Sequence, residues 1–204
     1  MSLVLEKLYV GRHDVEMAAE LAYGADQTLL SLMFGGKATA TGRIACLIRA
    51  GGTVFGHEHV YVALESGKVL GVAIAGTGAE YEKADRKGFR PYYRCLSITG
   101  TLRLMLVLPL IDRVLTDSLE ADDFYVGILA VDADRRGRGI GSFIMDNIAR
   151  IARQQGCKRL VLDVSFENPR ARKFYERLGF QCTGKRPLIP GWEKIGTCTM
   201  VKML

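Results

Sequence analysis

The sequence has no long uncharged run. Among its 204 residues the longest stretch without a charged side chain is Val69 to Ala79, eleven residues of which four are Gly or Thr. A bilayer span needs roughly 20 apolar residues, so no transmembrane helix and no membrane partner are expected. The opening, Met1-Ser2-Leu3-Val4-Leu5-Glu6-Lys7, has no basic region followed by an apolar core and a small-residue cleavage site. No secretory signal is read there, and a cytoplasmic protein is expected. Cysteine is sparse and unpatterned: Cys46, Cys95, Cys157, Cys182 and Cys198 are odd in number and include no Cys-x-x-Cys pair. This argues against a disulfide framework or a zinc site and for buried thiols in a reducing compartment. What is present is a globular composition, 49% apolar and 25% charged. It excludes a wholly disordered chain and fits one domain over residues 1–204.

The net charge of +6 is unevenly placed. Residues 1–120 hold 13 basic and 13 acidic side chains, whereas 121–204 hold 15 and 9, so the whole excess lies in the last 84 residues. A basic segment favours a polyanionic partner, either a phosphorylated small molecule or nucleic acid.

Local pattern supplies the elements. Val4 to Val10 is strand-like, and Asp14 is placed to cap a helix carrying Val15, Ala18, Ala19 and Ala22, which Gly24 is expected to interrupt. A second helix runs Gln27 to Phe34 and stops at Gly35-Gly36, and a third lies around Ile44 to Arg49. His59 to Leu64 and Lys68 to Ala75 read as strands joined by Ser66-Gly67, a good hairpin turn. Thr101 to Leu115 is a dense apolar run, predicted as a helix bent at Pro109. The whole of 79–121 reads as a helical insertion: a plain cover over the sheet, the wall of a substrate pocket, or a subunit contact that would leave a homodimer open.

From Phe124 onward the order is strand, glycine-rich loop, helix, strand, helix, strand, which is an α/β arrangement. The strand is Phe124 to Val131, and the loop helix buries Ile144, Met145, Ile148 and Ala152. Leu160 to Val164 is the next strand. Asn168 caps a helix with Pro169 in its first turn. Short strands near Phe180 to Thr183 and Thr197 to Met203 close the chain.

Gly137, Gly139 and Gly141 lie between a well-marked strand and a well-marked helix, with arginines at 135, 136 and 138. Glycines admit positive φ and let a ligand approach without a Cβ in the way. The free N–H groups and dipole of the helix start then favour a diphosphate. No lysine precedes Ser142, so the loop is not a Walker A motif. A dinucleotide fingerprint, with Asp163 as its distant acid, fits poorly, because five residues separate Val131 from Gly137.

Arg136-Gly137-Arg138-Gly139-Ile140-Gly141 fits the Arg/Gln-x-x-Gly-x-Gly/Ala signature of the GNAT acyltransferase superfamily, which binds coenzyme A. Ile128-Leu129-Ala130-Val131-Asp132 looks like that family's fourth strand, and the Asn168 to Phe180 segment resembles its Asn-x-x-Ala-x-x-x-Tyr-x-x-x-Gly-Phe element. The strong match spans 124–180, with a weaker one over Val60 to Ala75. The resemblance implies a mixed, twisted sheet of six or seven strands flanked by helices. It also implies an enzyme, an N-acetyltransferase moving an acetyl group from acetyl-CoA to a primary amine within a ternary complex.

Under that resemblance the main chain of Leu129, Ala130 and Val131 pairs with the pantetheine amides, as an added strand would. Backbone N–H groups of Gly137, Arg138, Gly139, Ile140, Gly141 and Ser142 hold the diphosphate, with the Arg136 and Arg138 side chains screening its charge. An N–H near Leu129 stabilises the oxyanion. Asn168 contacts the pantetheine arm, and Tyr175 is the catalytic acid that protonates the departing thiolate. No metal is implied.

A general base is harder to find. Phe124 to Val131 offers only Tyr125, with Asp122 and Asp123 just before it and His57, His59 and Glu80 elsewhere. His57 and His59 would share one strand face, without a third metal ligand. Glu80, Glu82 and Asp85 are candidates to receive a cationic acceptor. The alternative to an enzyme is a non-catalytic acyl-CoA sensor or scaffold. Nucleic acid is not expected, since no aromatic platform or helix-turn-helix pattern accompanies the basic residues.

Overall fold

The structure, a computed structural model, describes residues 3–86, 90–115, 119–189 and 192–204. The elements are β1 (Val4–Lys7), α1 (Val15–Ala25), α2 (Gln27–Phe34), α3 (Lys37–Ala50), β2 (Val60–Glu65), β3 (Lys68–Thr77), α4 (Gly78–Asp85), α5 (Ile98–Asp112), β4 (Asp123–Val131), α6 (Ile140–Gln154), β5 (Arg159–Ser165), α7 (Pro169–Arg177), β6 (Gln181–Ile189) and β7 (Trp192–Met203). They form the expected mixed α/β sheet, seven-stranded, in the order β1-β2-β3-β4-β5-β7-β6. Every neighbouring pair is antiparallel except β4 with β5.

Alternation along the strands divides the interior into two layers. Val60, Val62, Leu64, Val72 and Ile74 face α1, α2, α3 and α5. Tyr61, Ala63, Leu70, Ala73, Phe124 and Val126 face α6 and α7.

Local chemistry fixes most boundaries. The Asp14 carboxylate accepts from the Met17 N–H at 2.9 Å and caps α1. The helix runs through Gly24 and ends only at Asp26, whose non-helical backbone frees its side chain to cap α2 at Leu29 N–H, 2.8 Å. A cap residue cannot also be helical, so the break falls two residues beyond the expected one. The last two strands are longer than predicted because they pair with each other as a hairpin. His57 and His59 lie in a short 3-10 turn rather than on a strand face.

The cysteines also depart from expectation. Cys46 on α3 is joined to Cys95 before α5, and Cys182 on β6 to Cys198 on β7; Cys157 is buried and free. Separations of 49 and 16 residues are closed by packing that spacing alone does not reveal.

At the start of β4, Asp123 is 1% exposed and opposite Arg159 in the parallel register. Its carboxylate accepts from Arg159 Nε (2.6 Å) and Nη2 (2.8 Å) and from the Glu120 N–H (3.0 Å). Asp122 pairs with Lys158 at 2.6 Å on the surface. Both acids therefore pin the β4–β5 junction. Asp123→Asn should lower stability by about 2 kcal/mol, less than for a fully buried pair because Arg159 is partly solvated; urea titration checks this.

Candidate active site

β4 and β5 pair only over Asp123↔Arg159, Phe124↔Leu160 and Tyr125↔Val161. Beyond Tyr125 the chain from Val126 to Val131 pairs with β3 on one side alone, leaving its other edge of N–H and C=O groups to face a cleft. Unpaired strand edges are templates for an added extended group. Leu129, Ala130 and Val131 all lie on this edge, and Arg136 Nε donates to the Val131 carbonyl at 3.3 Å where the edge meets the loop.

The edge is also bent. Ile74 pairs with Ile128 and Ala75 with Val126, so Gly127 is an extra residue, a β-bulge. A Cβ on Gly127 would lie 3.3 Å from the Tyr81 hydroxyl and 3.3 Å from the Tyr125 ring. A side chain there would press on two tyrosines that crowd the bulge from within the cleft.

At the end of the edge, Gly137 (φ +78°) and Gly139 (φ +80°) take left-handed backbone, and nothing lies within 4 Å of where either Cβ would stand. Gly139 begins α6 with no side-chain cap, and the first intrahelical bond at this end is Phe143 N–H to the Gly139 carbonyl at 2.9 Å. The N–H groups of Ile140, Gly141 and Ser142 thus precede the helical ladder and open towards the same space. Arg136 and Arg138 are exposed beside it. Gly141 also serves packing, since a Cβ there would stand 3.2 Å from the Phe174 ring; its absence lets α6 approach α7. These groups suit a ligand with an extended amide arm and a diphosphate, which is the chemistry of coenzyme A.

Across the cleft, Asn168 caps α7 by accepting from the Ala171 N–H at 3.0 Å. Tyr175 is buried between Phe174 and Phe180, with ring centroids 5.1 and 5.6 Å away. Both residues line a cavity of about 690 Å³ that includes Gly127, Ile128 and Leu129, then passes Tyr125 and Asp163 to the inner walls of α2 and α5.

Asp163 is the site residue for which the sequence pattern suggests the wrong ligand. Its carboxylate accepts from Tyr125 Oη at 3.0 Å and Thr199 Oγ1 at 2.6 Å, at the end of the cavity that Tyr175 lines. A lone acid within the apolar run Leu160-Val161-Leu162-Asp163-Val164 is the signal that marks it.

Two of the acids expected to receive the acceptor are engaged elsewhere. Glu80 completes a capping box with Thr77 (3.1 and 2.8 Å), and Glu82 pairs with Arg86 at 2.6 Å on the surface. The side chain of Asp85 lies outside the described residues.

Three buried phenols have raised pKa values. Burial, with help from the Glu80 charge, pushes Tyr61 up to about 12. Burial and then the Asp163 charge raise Tyr125, and burial alone raises Tyr175. Above the ordinary phenol pKa of about 10 the unfolded chain loses these protons while the native chain keeps them. The native state then binds more protons, so stability falls as pH rises from about 10, by at most about 1.4 kcal/mol per pH unit for each phenol. Urea midpoints should hold up to about pH 9.5 and drop by about pH 11, with a smaller drop in Tyr125→Phe.

Residues 43–180 match the acetyltransferase (GNAT) family. The chain belongs to this family.

Shorter stretches of the GNAT chain resemble curated proteins. It is 39% identical over 65 residues to an uncharacterized N-acetyltransferase of Methanocaldococcus jannaschii (32% of this chain, 27% of that one). It is 35% identical over 72 residues to rat N-acetyltransferase 8F1 (35% and 33%), and 36% identical over 62 residues to Schizosaccharomyces pombe N-alpha-acetyltransferase 30 (30% and 41%). The aligned segment therefore spans well under half of each relative.

The GNAT fold itself extends further. An N-acetyltransferase from Staphylococcus aureus Mu50 superposes with TM-score 0.67 at 16% identity, covering 98% of this chain and 100% of that one. A Drosophila melanogaster polyamine N-acetyltransferase does so with TM-score 0.64 at 20% identity, covering all of both chains.

Proposed function

We propose that this GNAT protein moves an acetyl group from acetyl-CoA to a primary amine by direct attack, with both substrates bound together. The observation that carries the reading is the unpaired, bulged β4 edge, which runs from Gly127 to the open Gly137–Gly139 loop opposite Tyr175. The fit can be followed residue by residue. The free edge at Leu129 to Val131 matches an extended amide arm, and the N–H groups from Gly137 to Ser142, with Arg136 and Arg138, match a diphosphate. Bound acetyl-CoA supplies an acyl carbon already activated as a thioester.

The residues then divide the work. Main-chain N–H groups on the unpaired edge beside the Gly127 bulge stabilise negative charge developing on the acyl oxygen. Asp163 draws a cationic amine towards the tyrosine end of the cavity and takes one proton from it, which passes on to solvent and bares the nitrogen lone pair. The nitrogen lone pair forms the C–N bond as the C–S pair leaves on sulfur. Nitrogen, already relieved of its first proton, gives up a second as sulfur gains one, so the products are the amide, the free thiol and one proton released to solvent. Tyr175, kept protonated by burial, faces the departing sulfur as a hydrogen-bond donor.

The test is thiol release from acetyl-CoA with a panel of amines, joined to mass detection of the amide and initial-velocity analysis. Intersecting lines are expected for a ternary complex, whereas parallel lines would overturn direct attack. Tight acetyl-CoA binding without release from any amine would favour the non-catalytic sensor.

A further inference from the structure

We propose that the acceptor is a primary amine carried on a bulky apolar body, alkyl or aryl, whose body is held by the wall formed by α2 and α5. This deepens the reading just given and rests on it. The wall has an unusual origin. β3 and β4 are antiparallel neighbours that a short turn could join, yet residues 78–122 intervene and bring α5 against α2. Arg103 Nε donates to the Leu32 carbonyl at 2.9 Å, fastening the inserted helix to α2.

The inner faces of these helices present Leu29, Leu30, Met33, Leu108 and Ile111 to the cavity, with Phe55 beside them. None of these side chains donates or accepts a strong hydrogen bond. A sugar, an amino-acid backbone or the inner nitrogens of a polyamine would lose water there and gain no partner. An alkyl or aryl group would lose only unfavourable hydration.

Apart from Tyr92, which stands just before α5, the polar groups are segregated. Tyr81, Tyr125, Tyr175 and Asp163 lie together along the part of the lining that carries Gly127, where the nitrogen must arrive. Two other carboxylates touch the lining at its margins: Asp112 is exposed at the end of α5, and Asp26 has one oxygen occupied in capping α2. Both can attract a cation to the mouth, while the chamber between is apolar but for Tyr92 at its wall. One charged head and one apolar body fit this division.

The test compares n-butylamine, n-hexylamine, n-octylamine and 2-phenylethylamine with spermidine and glucosamine. Thiol release gives kcat/KM, and calorimetry gives amine affinity for the protein saturated with free CoA. Burial of each added methylene should raise both by roughly fourfold until the chamber is filled. Octylamine and 2-phenylethylamine should exceed spermidine and glucosamine by about 30-fold or more. Leu108→Glu should cut octylamine affinity by at least about 30-fold while the acetyl-CoA Kd stays within about threefold. If that variant does not fold, Leu108→Ala should cut it about tenfold.

Turnover that is flat with chain length, or best with spermidine or glucosamine, would overturn the apolar acceptor and leave acetyl transfer standing. Octylamine that binds the CoA-loaded protein with no thiol release would support the chamber and overturn the transfer reading. No release and no binding of the apolar amines would overturn this inference.

Discussion

Gly139→Glu should raise the Kd for acetyl-CoA at least about 100-fold while leaving the fold in place. The residue has φ +80°, a conformation in which any L side chain costs about 1–2 kcal/mol. That strain alone accounts for roughly a tenfold loss if the loop shifts to relieve it. The added carboxylate contributes the rest. Nothing in the protein lies within 4 Å of the new Cβ, so the side chain projects into the space where the free N–H groups of Ile140, Gly141 and Ser142 open. A negative charge there competes for the donors a diphosphate needs and repels the diphosphate itself. For the same reason no packed atom is displaced, and the thermal midpoint should fall only by the strain, about 2–8 °C. Gly139→Ala separates the two effects, since it carries the strain without the charge and should weaken binding only about tenfold. Calorimetric titration decides, and equal affinity of Gly139→Glu and the parent would sink the cofactor assignment.

The features of this site that could be read from the chain are those decided within a few residues. Gly137 and Gly139 announce positive φ, Asn168 announces a helix cap followed by Pro169, and Tyr175 falls at a fixed distance along that short helix. Each depends on local backbone chemistry, and each is found where local chemistry puts it. Gly127 is different. A glycine inside an apolar strand is compatible with a bulge, but its position as the extra residue is set by the pairing of β4 with β3, which no short window contains. The apolar wall is further out of reach, because it needs α2 and α5 to meet across about 70 residues of chain, a distance that Arg103 and Leu32 bridge.

The acids divide in the same way. Thr77-x-x-Glu80 is a capping-box pattern, so the structural role of Glu80 is written in four consecutive residues and competes directly with a role in acceptor binding. Asp163 is visible as a lone acid in an apolar strand, but its meaning comes from Tyr125 and Thr199, 38 and 36 residues away. The cysteine pairs belong with these long-range features: two of the four partners sit on adjacent strands, one on α3 and one in the turn before α5, and spacing says nothing about either pairing. Local rules therefore locate the loop that would hold a nucleotide, whereas the acceptor end is a product of topology.

Tyr175→Phe should lower kcat about 100-fold with little change in the Kd for acetyl-CoA. Phenylalanine keeps the ring contacts with Phe174 and Phe180, so the fold should tolerate the loss of a single oxygen. The direction of the pKa shift decides what that oxygen does. An ordinary phenol near about 10 already lies above a thiol near about 8.5, so giving its proton fully to a thiolate is uphill. Burial raises Tyr175 further and steepens that climb. The hydroxyl is thus suited to stabilising the departing sulfur by a hydrogen bond, with solvent completing the protonation as product leaves. Two consequences separate this from a purely packing role. The kcat profile of the parent should show no tyrosine ionisation up to about pH 10, because the raised pKa keeps the donor in place, and Tyr175→Phe should reproduce its shape at a lower level. Acetyl donors whose thiols are more acidic, and so leave more easily, should lose less than acetyl-CoA does on the substitution. A Tyr175→Phe protein with undiminished kcat would make Tyr175 a core aromatic and return the protonation of sulfur to water alone.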